Sequence, residues 1–217
     1  RINIDLMHGT PGQTAEAALA DLQIIEALGI RHLSWYQLTI EANTAFYSSP
    51  PKLPDESTLE ATDSAGHQFI EAMGLVHYEV SAYAVPGEEA RHNVNYWEFG
   101  DYLGLGAGAH GKLTVGDQVI RTQRTRHPRH YLNRVDSAAQ ESPLPPDHLG
   151  AECLLNGLRL KAGISEKLFH ERTGLDPIHY RRANLAKADE LGLLEPGRFQ
   201  ATPLGWRHLN HVLEMLV

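Results

Sequence analysis

The chain has 217 residues, 42% of them hydrophobic and 21% charged, with 19 Gly and 12 Pro, which excludes disorder, collagen and coiled coil and leaves an ordinary globular protein. Nineteen Lys and Arg stand against 27 Asp and Glu, a formal charge of −8, so no global basic field exists to hold a nucleic-acid backbone and nucleic acid is not an expected partner. The one cysteine, Cys153, excludes an intrachain disulfide framework and any multi-cysteine metal site within this chain, and fits a reducing, cytoplasmic location.

Ile2, Ile4 and Leu6 alternate with Asn3 and Asp5 up to the turn formers His8-Gly9-Thr10-Pro11-Gly12, which predicts a strand running into a loop. Apolar residues at helical spacing (Ala18, Leu22, Ile25, Leu28) predict a helix from Thr14 to a stop at Gly29. His32–Ile40 is dense in large apolar and β-favouring residues, and Pro54-Asp55 opens a second helical stretch that closes at Gly74. With Tyr78–Tyr83 as a third strand, the alternation predicts βαβ units on a parallel sheet, an α/β fold. Glycines at 100, 104, 106, 108 and 111 then mark a turn region, and Lys112–Arg124 reads as a hairpin turning at Gly116-Asp117.

Pro143, Pro145 and Pro146 predict a linker near residue 145, dividing the chain into 1–145 and 146–217. Beyond it, helices are expected over Glu152–Leu160, Ser165–Thr173 and Asp176–Leu191, a small hairpin around Pro196-Gly197 and a final helix over Pro203–Val217, together a winged-helix-like unit. From Asp147 onward nine basic residues meet nine acidic ones, whereas a DNA-reading wing is visibly basic. This part therefore reads as a packing or interaction domain. No apolar run approaches the roughly 20 residues of a membrane span, and no signal-peptide pattern opens the chain.

Five groups of residues could carry chemistry. Asp5, with Gly9, Pro11 and Gly12 after it, lies at the C-terminal end of a predicted strand, where α/β folds place ligands and a carboxylate can accept from ribose hydroxyls; it could equally face solvent. His92-Asn93-Val94-Asn95-Tyr96-Trp97 offers an imidazole, amides and flat aromatic surfaces suited to a large planar ligand, or else aromatic anchors of a loop. Gly104-Leu105-Gly106-Ala107-Gly108-Ala109-His110-Gly111 permits close backbone approach, but no Gly-Lys-Ser/Thr follows, so it is not a phosphate loop. Arg121, Arg124, Arg126, His127, Arg129, His130 and Arg134 form a basic cluster that suits carboxylates, or a solvated face. His208 and His211 share a helix face without a third ligand, and Cys153 among leucines reads as a buried structural thiol.

Taken in order, Ile2–Thr14, His32–Glu41, Tyr78–Ala84, His92–Trp97 and Gly104–Gly111 resemble the HemW-type haem chaperones, relatives of the oxygen-independent coproporphyrinogen III oxidases in the radical S-adenosylmethionine superfamily. The resemblance covers essentially the whole chain. It implies the C-terminal portion of a partial (β/α) barrel, followed by a small helical and winged domain. It implies S-adenosylmethionine against Asp5 (ribose), Met7 and Thr39 (adenine). Haem would be bound by His92, Asn93, Tyr96, Trp97 and His110, with His92 as iron ligand and His110 as second choice; from its charge, and not from the resemblance, the basic cluster around Arg124 and Arg126 is expected to receive the propionates. The implied function is delivery of haem to a client haem protein; the alternative is oxidative decarboxylation of two propionates by a coproporphyrinogen oxidase. Peripheral membrane association and a homodimer stay open. The family's [4Fe–4S] cluster sits on a CxxxCxxC motif that this chain lacks, so its ligands are expected in a missing N-terminal part.

Overall fold

The computed structural model describes residues 2–133 and 140–216, and the chain divides into two compact units, Arg1–Ala90 and Arg91–Val217. The linker read at residue 145 thus falls within the second unit.

The first unit begins with strand β1 (Ile4–His8), whose side chains alternate between two environments as the pleat requires. Helix α1 (Ala15–Ala27) starts where the Thr14 hydroxyl accepts from the Ala17 N–H, satisfying one orphan donor of the first turn. Strand β2 (His32–Gln37) pairs parallel to β1 with Asp5 beside Ser34 and Met7 beside Tyr36. A one-turn helix α2 (Ala45–Ser48) and the long helix α3 (Glu56–Ala72), capped by Asp55 on the Thr58 N–H, follow. Leu22, Ile25, Leu33, Trp35, Ile70, Leu75 and Tyr83 form the core between the helices and the sheet.

The third strand departs from the expected parallel arrangement. Tyr78–Tyr83 is no single strand: β3 (Val76–His77) ends, the Tyr78 N–H donates to Ala82 O, and β4 (Ala82–Ala84) returns antiparallel to both β3 and β2. The sheet order is β1-β2-β4-β3. The helical crossover still delivers β3 parallel to β2, but a hairpin inserts β4 between them. Ala82 and Ala84, both fully buried, share one face of β4 beside Ser34 and His32, while Tyr83 points to the core on the other.

The second unit opens with helix α4 (Arg91–Trp97). Strands β5 (His110–Val115) and β6 (Gln118–Gln123) form the expected hairpin, turning at Gly116 with φ of 57°. After helix α5 (Pro128–Asn133), an unanticipated strand β7 (Gln140–Pro143) extends this ribbon to three antiparallel strands. Gln140-Glu141-Ser142-Pro143 has neither apolar alternation nor β-favouring residues, and its proline occupies an edge strand, where the lost donor is tolerated.

The helices of this unit are α6 (Leu149–Gly157), α7 (Glu166–Thr173), α8 (Pro177–Asn184), α9 (Ala186–Glu190), α10 (Pro203–Arg207) and α11 (Leu209–Glu214). Two stretches read as single helices are therefore broken, at Leu185 and at His208, and Val217 lies outside the described residues. The small hairpin around Pro196-Gly197 is reduced to single bridges, Leu194 to Ala201 and Ile164 to Phe199. Cys153, Leu154, Leu158, Phe169, Leu185, Phe199 and Val212 are buried, with the Phe169 and Phe199 rings 4.6 Å apart.

Candidate functional site

Unit one has two unlike sheet faces. The helices cover one, and Asp5, Met7 and Tyr36 project from the other, where all three stay exposed. There Asn3 Nδ2 donates to Asp5 Oδ1 at 2.9 Å, and Asn3 Oδ1 lies 2.6 Å from His32 Nδ1. An amide oxygen only accepts, so Nδ1 carries a proton, and Nε2 lies 2.8 Å from the Tyr78 hydroxyl. The Tyr78 oxygen in turn accepts from the Ala90 N–H. Asp5 thus accepts from an amide that is itself anchored to His32, on the exposed side of the sheet. Sequence reasoning finds Asp5 but misses Asn3, His32 and Tyr78, although polar residues at 3, 5, 32 and 34 on strand-spaced positions were the available signal. Thr39 stands beyond the end of β2, with its hydroxyl donating to Glu41 Oε1 at 3.0 Å.

On the covered face, His8 is 3% exposed rather than a residue of the turn. Its ring stacks on Trp35 at 4.0 Å, and Nε2 lies 3.4 Å from Asp63 Oδ1. Burial lowers its pKa, Asp63 opposes that shift, and His67 adds to it. His67 accepts from the Tyr83 hydroxyl and stacks on His77; burial above all holds the Tyr83 phenol well above its ordinary range, so it keeps its proton.

The second unit gathers several predicted residues. His92 and Tyr96 are four residues apart on α4, hence on one side of the helix, and both are exposed. A cavity of about 220 Å³ is lined by Tyr96, Phe99, Tyr102, His110, Gly111, Lys112, Arg121 and Asn156. It thereby joins Tyr96 to His110 across the glycine-rich turn, while His92 is not part of its lining. Tyr96 also meets Trp97 edge-on at 5.1 Å and Tyr102 at 5.4 Å. Trp97 is half-buried, Arg159 lies 5.7 Å from its ring centre, and among the described residues its buried indole N–H has no acceptor. Asn93 is half-buried, while Asn95 serves the backbone, donating to Asp101 O at 3.0 Å.

Two glycines of the turn are explained by the backbone. A side chain at Gly104 would fall 2.4 Å from His110 O, and one at Gly111 would fall 2.9 Å from Gly104 N. They exist so that the turn can fold against β5, which sets His110 at the strand's first position.

The cavity's corner is built by Lys112, 5% exposed, whose ammonium donates to Phe99 O at 2.8 Å and to Asp101 Oδ1 at 3.3 Å. Phe99 takes a φ of 57°, a costly left-handed conformation for a bulky residue, and this aims its carbonyl at the lysine. Burial lowers the Lys112 pKa against the opposing pull of Asp101. Directly across the ladder from Lys112 stands Arg121, paired with Glu152. Among the described residues of the basic cluster, only Arg121 lines the cavity. Arg124 Nε donates to Gly104 O, His127 and His130 pack ring to ring, and Arg134 lies outside the described residues.

Cys153 is fully buried in α6, where burial pushes its thiol up to about 12, so it is no candidate thiolate ligand at neutral pH. Among the described residues no group of three or more His, Cys, Asp or Glu could hold a metal ion, and no helix is long and apolar enough to cross a membrane.

Comparison with known proteins places these features. Residues 144–208 match the HemN C-terminal domain. The chain is 43% identical over 226 aligned residues to a protein of Escherichia coli strain K12 named "Heme chaperone HemW", covering 99% of this chain and 57% of that protein. It is 41% identical to a protein of the same name from Haemophilus influenzae, covering 99% and 56%. Thus the chain spans little more than half the length of these curated relatives. In fold it is similar to the E. coli coproporphyrinogen III oxidase HemN, described as a radical SAM enzyme, with a TM-score of 0.74 over 99% of this chain and 54% of that one at 18% identity.

Proposed function

We propose that this chain, a HemW-type relative of the radical SAM protein HemN, is part of a haem chaperone that holds haem on its second unit and passes it to a client haem protein. One observation carries the reading: the cavity unites Tyr96 of the histidine-amide-aromatic helix with His110 of the glycine-rich turn, and His92 stands one helical turn from Tyr96 on the exposed side. A porphyrin is flat and large, and an exposed aromatic ring flanked by two imidazoles offers it a stacking surface and iron ligands. With about 220 Å³, smaller than the roughly 300–1,000 Å³ typical of small-molecule pockets, the cavity admits an edge or a side arm and leaves most of the macrocycle outside. That exposure suits a carrier that must release its cargo.

S-adenosylmethionine fits the open face of the first unit, in the sense that Asp5 is held as an acceptor there beside Met7 and Tyr36. A ribose diol supplies the complementary donors. When bound in the whole protein, the cofactor would supply a methionine sulfonium for radical chemistry, and this chain's part is to orient its nucleoside end. A [4Fe–4S] cluster finds no fit among these residues, because the only thiol is buried and protonated.

The test is a titration of haemin into protein purified from the complete reading frame, followed at the Soret band. Saturable binding is expected, weakened about tenfold or more in His92→Ala. If His110→Ala loses binding instead, the iron ligand moves to the turn; if the wild-type protein binds no haemin, the chaperone reading falls. Rescue of a strain lacking the oxygen-independent coproporphyrinogen oxidase would favour the oxidase reading.

A further inference from the structure

The cavity of the second unit has a chemical bias that the haem reading does not use. Its lining is polar around one apolar wall, Phe99. Two cations meet there by strand register, since Lys112 and Arg121 are directly opposed on β5 and β6. Like charges in that relation destabilise a ladder, so the pair requires negative charge nearby. Each cation has one carboxylate partner, Asp101 for Lys112 and Glu152 for Arg121. Neither is saturated by it. An ammonium has three donors and a guanidinium five; Lys112 gives two, to Phe99 O and Asp101, and also sits over the Phe99 ring, 4.0 Å from its centre, so the spare donors are those of Arg121, which among the described residues bonds only Glu152. Asp101 divides its own charge further by accepting from the Thr114 N–H and hydroxyl at 2.9 Å each. Two phenols, Tyr96 and Tyr102, complete the wall.

We propose that this cavity is a carboxylate subsite: it takes a propionate-type side arm of the planar ligand between Arg121 and Lys112, with the phenol hydroxyls of Tyr96 and Tyr102 donating to the same oxygens. The proposal rests on the haem reading above and deepens it. An apolar edge of a macrocycle would leave the spare donors of Arg121 desolvated and unpaired, at a cost that a carboxylate removes. The size agrees, because a carboxyethyl arm fits a space that a ring does not. The Tyr102 phenol is held above its ordinary range, chiefly by burial and then by Tyr96, so it remains a donor at neutral pH. In this arrangement Arg121, and not the more distant pair Arg124 and Arg126, supplies the anion contact.

The experiment compares haemin with haemin dimethyl ester, whose two carboxylates are blocked, in Soret titrations of protein from the complete reading frame. Wild type is expected to bind haemin about tenfold or more tightly than the ester, the scale of one charge-assisted hydrogen bond. Arg121→Gln, at a half-exposed position where the side chain is not packed in the core, is expected to abolish that preference by weakening haemin and sparing the ester. Tyr102→Phe should narrow it in the same direction. Equal wild-type affinity for both ligands, or equal weakening of both by Arg121→Gln, overturns the subsite while leaving haem binding intact. Failure to bind either ligand overturns the chaperone reading and the subsite with it.

Discussion

Histidine is used in opposite ways by the two units. In the first, His8 is buried and stacked on Trp35, while His67 and His77 stack on each other beside Tyr83, whose hydroxyl is hydrogen-bonded to His67; in the second, His92 and His110 are exposed. The side chain is the same, and the layer that covers it decides its chemistry. Burial depresses the pKa of His8, because its charged form would lose hydration, and the ring serves packing. An exposed imidazole can be reached by a metal-bearing ligand. The lesson for reading such chains is that a histidine after a strand, as at His8, and a histidine on a short helix, as at His92, look equally promising until the covering elements are known.

The comparison breaks most completely if the cover is removed. Trp35→Ala deletes the ring on which His8 stacks and whose edge lies against Gly66, where an added Cβ would fall 2.0 Å from Trp35 Cη2. A loss of about 3–5 kcal/mol is expected for such a truncation, read from urea unfolding by far-ultraviolet circular dichroism. A change below about 1 kcal/mol would mean that Trp35 does not organise this layer.

A subtler test uses protons. The folded pKa of His8 is depressed by burial, so between the unfolded value of about 6.5 and that lower folded value the unfolded chain binds more protons. Stability is therefore fully present above about pH 6.5 and falls as pH drops through this window. His8→Gln should flatten that fall in urea midpoints measured from pH 7.5 to 5. An unaltered slope in His8→Gln would contradict the buried-neutral assignment.

The smallest effect concerns the one thiol. With its pKa pushed up to about 12 and its side chain enclosed in α6, Cys153 is expected to be inert to iodoacetamide at pH 8 in the folded protein and to react fully in 6 M guanidinium, the alkylation being counted by mass spectrometry. Rapid labelling of the native protein would show that the core of the second unit opens readily.

Much of the architecture was legible because it depends on local rules. Apolar spacing and caps at Thr14 and Asp55 placed α1 and α3 to within a residue or two, and the Gly116 turn fixed the hairpin because a positive φ there selects glycine. The ordered set of five motifs supplied the relationship to HemW-type proteins that the sequence comparisons bear out. The misreadings came where tertiary partners override local preference. Tyr78–Tyr83 looks like one strand, yet the chain doubles back because β2 and β3 leave a slot between them that two alanines fill. Gln140–Pro143 looks like a loop and becomes a strand because β6 offers it an open edge.

The candidate sites divide along the same line. Asp5, His92, Tyr96 and His110 stood out by residue type and position, and the chain's sequence alone determined that these groups exist and that a lone cysteine cannot hold a cluster. Only the tertiary structure decided which groups meet. The Asn3–His32–Tyr78 chain behind Asp5 spans residues 3 to 78, and the Lys112–Arg121 pair depends on strand register. Tyr96 reaches His110 only because Gly104 and Gly111 bring two backbones together at a distance no side chain would permit. Local preferences are encoded within a few residues, whereas a cavity is made by contacts between segments far apart in sequence, each placed by the packing of all the others.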